Sequence, residues 1–190
     1  MKESSRKRLL EIARASVEAA VRGQPPPVVQ ESEPEVQAKQ GCFVTLKNGE
    51  ELRGCLGHFT SNKPLYKLVN EMARASATED PRFFSYPITP DELPRLDIEI
   101  SVLSPLKRIQ NPLSIELGKH GIYIRRGAAA GCFLPQVATE TGWSKEEFLS
   151  HCCSHKAGLA PDAWRDPDTE VLIFTAEVFG EKEPGNATES

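Results

Sequence analysis

A cysteine stands between two glycines in the run Leu52-Arg53-Gly54-Cys55-Leu56-Gly57-His58, the stretch of this chain best equipped for chemistry. A thiolate is both a nucleophile and a soft metal ligand, and neighbouring cations favour it over the thiol. Arg53 and His58 are expected to supply that charge, His58 being able to change protonation near neutral pH. Gly54 and Gly57 carry no side chain, so backbone can approach a ligand there and leave Cys55 exposed. The packing alternative is a small buried cysteine in a glycine-shaped turn, since free cysteine is among the most buried residue types.

Three other clusters can do chemistry. Asp97, Glu99 and Ser101 alternate along one face of a strand-like run, where two carboxylates suit acid/base or cation chemistry and a solvated face is the plainer reading. Asp80 and Arg82 flank Pro81 at a helix end, as a ligand clamp or a structural ion pair and cap. His151-Cys152-Cys153-Ser154-His155 suggests a metal stripe with Glu147 at helical spacing. The same spacing carries the apolar face through Phe148, Leu149, Cys152 and Cys153, and no second ligand cluster stands elsewhere, so no metal site is assigned. Lys156 precedes Gly158, a natural helix cap, and is either a dipole partner or a ligand-facing cation.

The elements that must position these groups can be read from periodicity. Leu9, Ile12, Ala13, Val17, Ala20 and Val21 recur at helical spacing between Ser4 and Gly23. A proline-rich, acidic surface connection is expected over residues 24–39. GCFVTLK and ELRGCLG form a hairpin about Asn48-Gly49. Pro64 opens a helix that Asp80-Pro81 stops. RLDIEISVLSP reads as a half-buried strand, GIYIRR and GCFLP as a strand pair about Gly127, and residues 136–142 and 144–156 as helices. EVLIFTAEVFGE reads as one last strand, and residues 182–190 as a disordered tail. The sum is an α+β fold: a mainly antiparallel sheet with segregated helices.

Bulk properties narrow the function classes. The 190 residues, 39% hydrophobic and 26% charged, suit one large domain or one with a small subdomain. A net charge of −4 without a basic stripe argues against nucleic acid. No apolar run approaches the roughly 20 residues of a membrane helix, and the amino terminus lacks the apolar core of a signal peptide. Five cysteines without paired zinc spacing point to reduced thiols and a cytoplasmic location, so the Asn186 sequon is expected to be silent. No phosphate loop, dinucleotide fingerprint or nucleophile elbow is present, and no cofactor is expected.

The hexapeptide Leu52-Arg53-Gly54-Cys55-Leu56-Gly57 resembles the signature of the AMMECR domain family, named for the Alport syndrome, midface hypoplasia and elliptocytosis chromosomal region. GCFVTLK, the Pro64-Leu65 helix start, DPRFF, EISVLSP, HGIYIRRG, CFLPQVA and KAGL look like further family blocks in the family's order, from Leu9 to Glu181. The resemblance implies one domain over residues 1–181 with a larger part, a smaller subdomain and a cleft between them bearing a signature loop. The family blocks include Glu99 and Ser101 but not clearly Asp97, which raises Glu99 alone as a site residue and leaves Ser101 as a ligand-binding candidate; the resemblance also implies association with Memo-type or radical-SAM proteins, but brings no assigned reaction. Leu56, where isoleucine is frequent, and His58, where small or polar residues often stand, depart from the commoner form. Two expectations follow: a cleft that binds a small molecule or protein side chain with Cys55 as nucleophile or thiolate ligand, or a non-catalytic module that recognises a protein partner.

Overall fold

The computed structural model describes residues 1–182. The expected tail of residues 182–190 therefore lies, from residue 183 onward, outside the described residues, as does the Asn186 sequon. The chain forms two compact units. The first comprises Met1–Val102 with the chain from Glu177, and the second comprises Leu103–Ala176.

In the first unit, α1 (Glu3–Val21) and α3 (Leu65–Thr78) cover one face of a four-stranded sheet. The strands are β1 (Cys42–Asn48), β2 (Glu51–His58), β3 (Leu96–Leu103) and β8 (Ala176–Gly180), in the order β2-β1-β3-β8. Alternation drives the burial: Val44 and Leu46 on β1 and Ile98 and Ile100 on β3 are fully buried against Leu9, Ile12 and Val17 of α1 and Leu68, Val69 and Met72 of α3. Phe43, Thr45, Asp97 and Glu99, with the opposite parity, stay half-buried. The proline-rich connection is not wholly extended. Residues Pro34–Gln37 make one helical turn (α2), because Val36 can bury itself in the core cluster.

In the second unit, β4 (Lys107–Ile109), β5 (Gly121–Arg126), β6 (Ala129–Phe133) and β7 (Glu170–Phe174) form a sheet of order β4-β7-β5-β6. Its core joins Ile122, Ile124 and Val171 to Phe148, Leu149, Cys152 and Cys153 from α5 (Lys145–His151) and the π-helical turn Cys152–Ala157 that continues it. Helix α4 (Pro135–Thr141) adds Ala138.

Two expectations are corrected here. EVLIFTAEVFGE is two strands: it breaks at Thr175, with β7 in the second sheet and β8 in the first. The break is held by Ser104, whose amide donates to the Thr175 carbonyl at 2.9 Å and whose hydroxyl accepts from the Thr175 amide at 2.8 Å. The hairpin turn also shifts by one residue. Asn48 pairs with Glu51, so Gly49 and Glu50 are the loop, with Gly49 at φ +62° as a type II′ turn requires of its first residue.

Candidate functional site

The family-like hexapeptide lies within β2, not in a loop, and β2 is an edge strand. Its geometry hinges on one irregularity. From the turn, Asn48 pairs with Glu51 and Lys47 with Leu52; past the register shift, Leu46 pairs with Gly54 and Thr45 with Cys55. Arg53 is the extra residue of a β-bulge. Without it Cys55 would oppose Val44 and face the core; one added residue turns it to the sheet's other face.

Arg53 is 7% exposed and tied down on both sides. Its guanidinium donates to Glu92 at 3.0 and 3.2 Å and to the Tyr86 carbonyl at 3.0 Å. This ion pair, with a backbone bond from Thr89 at the start of the 3-10 turn Pro90–Arg95, holds the Glu92 carboxyl below its ordinary range. Arg53 is thus spent on the bulge. His58 lies three residues along the strand from Cys55, so strand alternation puts it on the opposite sheet face, opposite Cys42. Neither expected cation flanks the thiol in the way the sequence suggested.

The cation that reaches Cys55 is Arg82. Asp80, 3% exposed, accepts from the Cys55 amide at 2.9 Å, and Arg82 donates to the Cys55 carbonyl at 3.2 Å. The two side chains join each other at 2.7 Å. Together they cap the outward backbone groups that an edge strand leaves unpaired. The Arg82 guanidinium first, then the backbone donors of Cys55 and Arg82, pull the Asp80 carboxyl down to about 2. A depressed folded-state value stabilises the protein above the unfolded carboxylate range, and the contribution is lost as pH falls through it. Asp80→Asn should therefore cost about 2 kcal/mol at neutral pH. It should also flatten the loss of stability between pH 4 and 2, a window set by the unfolded value and the depressed one. Urea denaturation across that range checks this; an unchanged acid limb would refute the role.

The two glycines serve packing within the chain. Neither has a positive φ. A Cβ at Gly54 would overlap the Ser76 carbonyl oxygen of α3 and lie 2.9 Å from its carbon. A Cβ at Gly57 would overlap the Cys42 carbonyl oxygen and lie 2.5 Å from Cγ of Phe43, whose ring covers the strand. Ser76 completes the junction: its hydroxyl accepts from the Leu56 amide at 2.9 Å and donates to the Val44 carbonyl at 2.8 Å, bridging β2 and β1.

Cys55 is half-buried, and its Sγ lies 3.2 Å from Oγ1 of Thr45. Thr45 also pairs with Glu99 of β3, so Cys55, Thr45 and Glu99 form one row across the sheet, with Gly57, Phe43 and Ser101 as the next. Glu99 stands two strands from Cys55, about 10 Å away, and faces Lys47 at 3.9 Å. Ser101 is on the same face but 2% exposed. Thr45 was missed by the sequence reading, because its partnership with Cys55 depends on the bulge.

The other four thiols differ in setting. Burial pushes Cys42 up to about 12, and Cys132 up to about 11 with Lys156 partly opposing. Burial also raises Cys152 and Cys153, both fully buried. In the second unit His151 stacks between Trp143, 4.1 Å away, and His155, 5.0 Å away. Lys156 in the same unit lies 5.9 Å above the Phe133 ring. Among the described residues no three His, Cys, Asp or Glu side chains are placed to hold a metal ion, and no helix is long and apolar enough to cross a membrane.

Comparison with known proteins agrees with this architecture. The AMMECR1 family model matches residues 10–179. A protein of Methanopyrus kandleri is 50% identical over 155 residues, covering 77% of this chain and 73% of that protein. One of Methanothermobacter thermautotrophicus is 42% identical over 180 residues, covering 91% and 92%. The crystal structure of an uncharacterised Pyrococcus horikoshii protein superposes with a TM-score of 0.83 at 39% identity, over 97% of this chain and 95% of that one. By the extent of these matches, and by a signature strand built as described above, the chain belongs to the AMMECR1 family.

Proposed function

We propose that the chain binds a small molecule or a protein side chain at the half-buried row of Cys55, Thr45 and Glu99, on the face of the first unit's sheet opposite α1 and α3, where Cys55 meets it as nucleophile or thiolate ligand. The observation that carries this reading is the bulge at Arg53. It turns one cysteine out of the core, beside the Thr45 hydroxyl, while the Asp80–Arg82 pair clamps that cysteine's backbone. Preorganisation of this kind suits a group that must meet a ligand in one geometry. Thr45 and Glu99 extend the row on which a ligand would lie; Asp80 and Arg82 are positioning residues. Reduced thiols in a cytoplasmic setting fit this use.

The test is mass-mapped alkylation of the folded protein, followed by denaturation. Cys55 should react first, at least about tenfold faster than half-buried Cys132, whose raised thiol leaves little thiolate. All five should react once the chain is unfolded. His58→Ala should leave the Cys55 rate unchanged, since strand alternation sets that imidazole on the other face. A Cys55 that stays unmodified in the folded protein would make it a packing residue.

A second reading has its own support. Phe84 and Tyr86, beside the Asp80 turn, are 64% and 74% exposed. Aromatic side chains of this kind are favoured at protein interfaces. The family resemblance suggests Memo-type or radical-SAM proteins as partners. Binding of such a purified protein, lost on Phe84→Ala with Tyr86→Ala while Cys55 alkylation is unchanged, would favour this reading over the first.

A further inference from the structure

The second unit contains a cavity of about 790 Å³ whose lining residues, from Arg108 to Val171, all belong to that unit. Its volume falls within the range of sites for drug-sized ligands. Its wall is of two kinds. Ile109, Pro112 and Pro167 supply an apolar surface over the buried Trp164 and Val171, and Arg108 and Arg165 supply two guanidiniums. Both arginines are well exposed, with 62% and 60% of the side chain accessible. Each reaches a glutamate only at 3.3 Å: Arg108 touches Glu170 and Arg165 touches Glu146. Glu170 is held more closely by Arg125, at 2.6 Å, so Arg108 is incompletely neutralised.

Arg165 is also held in place. Its guanidinium carbon lies 4.6 Å from the centre of the Trp164 ring, and the Trp164 indole is itself fixed by donating to the Ser150 hydroxyl at 3.0 Å. The carboxylate in the lining, Asp166, is already committed. One oxygen pairs with Arg126 at 3.1 Å and the other accepts from the Asp168 amide at 3.1 Å. Thr169, also in the lining, is 7% exposed, and its buried hydroxyl finds no hydrogen-bond partner among the described residues. A buried hydroxyl without a partner is uncommon, and one at the wall of a polar cavity marks where a bound atom can complete it.

We infer that this cavity is a binding site for a small organic anion with an apolar body, its carboxylate or phosphate taken by Arg108 and Arg165 and its body lying against Ile109, Pro112 and Pro167, close to the Trp164 indole. Guanidiniums recognise both head groups through paired N–H donors, and a ring-stacked one loses little freedom on binding. The site shares no residue with the Cys55 face and stands or falls independently of it.

Trp164 makes the test direct. The chain has two tryptophans, so Trp143→Phe leaves Trp164 as the sole indole reporter. Phenyl phosphate and benzoate are the probes, with phenol as the neutral body and inorganic phosphate as the head group alone. Fluorescence titration backed by calorimetry should give saturable binding of phenyl phosphate, benzoate or both with a Kd below about 1 mM. Phenol and inorganic phosphate should bind at least about tenfold more weakly. Arg108→Gln and Arg165→Gln, exposed and therefore safe for folding, should each weaken the bound anion by about tenfold. Thr169→Val should weaken it by a smaller factor. Whichever anion binds more tightly identifies the head group. The inference is overturned if neither anion saturates, if phenol or inorganic phosphate binds as tightly as they do, or if the two arginine variants bind unchanged.

Discussion

Replacing Arg53 by alanine is expected to cost about 3 kcal/mol or more, the scale of removing one partner from a buried pair. Arg53 is 7% exposed and the Glu92 side chain 17%, so the carboxylate left behind is poorly placed to recover its lost bonds from water. The Tyr86 carbonyl loses its donor as well. The same change releases the bulge that turns Cys55 outward. Cys55 alkylation should therefore alter in the folded variant, whereas an equally destabilising change in the second unit, such as Phe148→Ala, should leave it untouched. Phe148 is fully buried among the second unit's core residues, and its truncation should cost about 3–5 kcal/mol. Urea denaturation with thiol mapping reads both effects. If Arg53→Ala behaves like Phe148→Ala at Cys55, the bulge does not control the thiol.

Gly54→Ala should be among the most damaging small substitutions in the chain. Its methyl would overlap the carbonyl oxygen of Ser76, which belongs to helix backbone and cannot swing aside as a flexible side chain would. Relief requires α3 to lift from β2. That would disturb the Ser76 hydroxyl bridge between the Leu56 amide and the Val44 carbonyl. Overpacking typically costs about 1–3 kcal/mol, and backbone against backbone belongs at or above the upper end. Gly49→Ala is the control. Its added methyl meets nothing within 4 Å, but its φ of +62° is unfavourable for alanine. That conformation alone should cost about 1–2 kcal/mol. Denaturation midpoints of the two variants should rank Gly54→Ala well below Gly49→Ala. The reverse order would mean that α3 gives way to a methyl at position 54 and that the close approach there does not require glycine.

The AMMECR1 relationship changes the weight of these features without assigning a reaction. Within the hexapeptide, Arg53 holds the bulge, Gly54 admits α3, and Gly57 lies beneath the Phe43 ring. Cys55 is left half-buried on the face of β2 opposite the core, beside Thr45.

Much of this protein follows from local sequence. Residue parity from Leu96 to Ile100 determined which side chains β3 buries there, because a strand with one covered face alternates, whereas Ser101 and Leu103 are buried against that parity. Helical spacing determined α1 and α3, and the ordered blocks from Leu9 to Glu181 determined the family. Other features were decided only by tertiary structure. The segment EVLIFTAEVFGE carries strand-favouring residues on both sides of Thr175 and no proline or turn pair, so nothing local distinguishes one long strand from two strands in different sheets; the Ser104 bonds at Thr175 make the break. The direction in which Cys55 points is decided by a single extra residue, and that residue is stabilised by Glu92 and Tyr86, more than thirty positions away. A one-residue change of register reverses every side chain beyond it. Local sequence therefore marked Cys55 and its neighbours as candidates, while long-range contacts turned Arg53 and His58 away from the thiol and set Thr45 beside it.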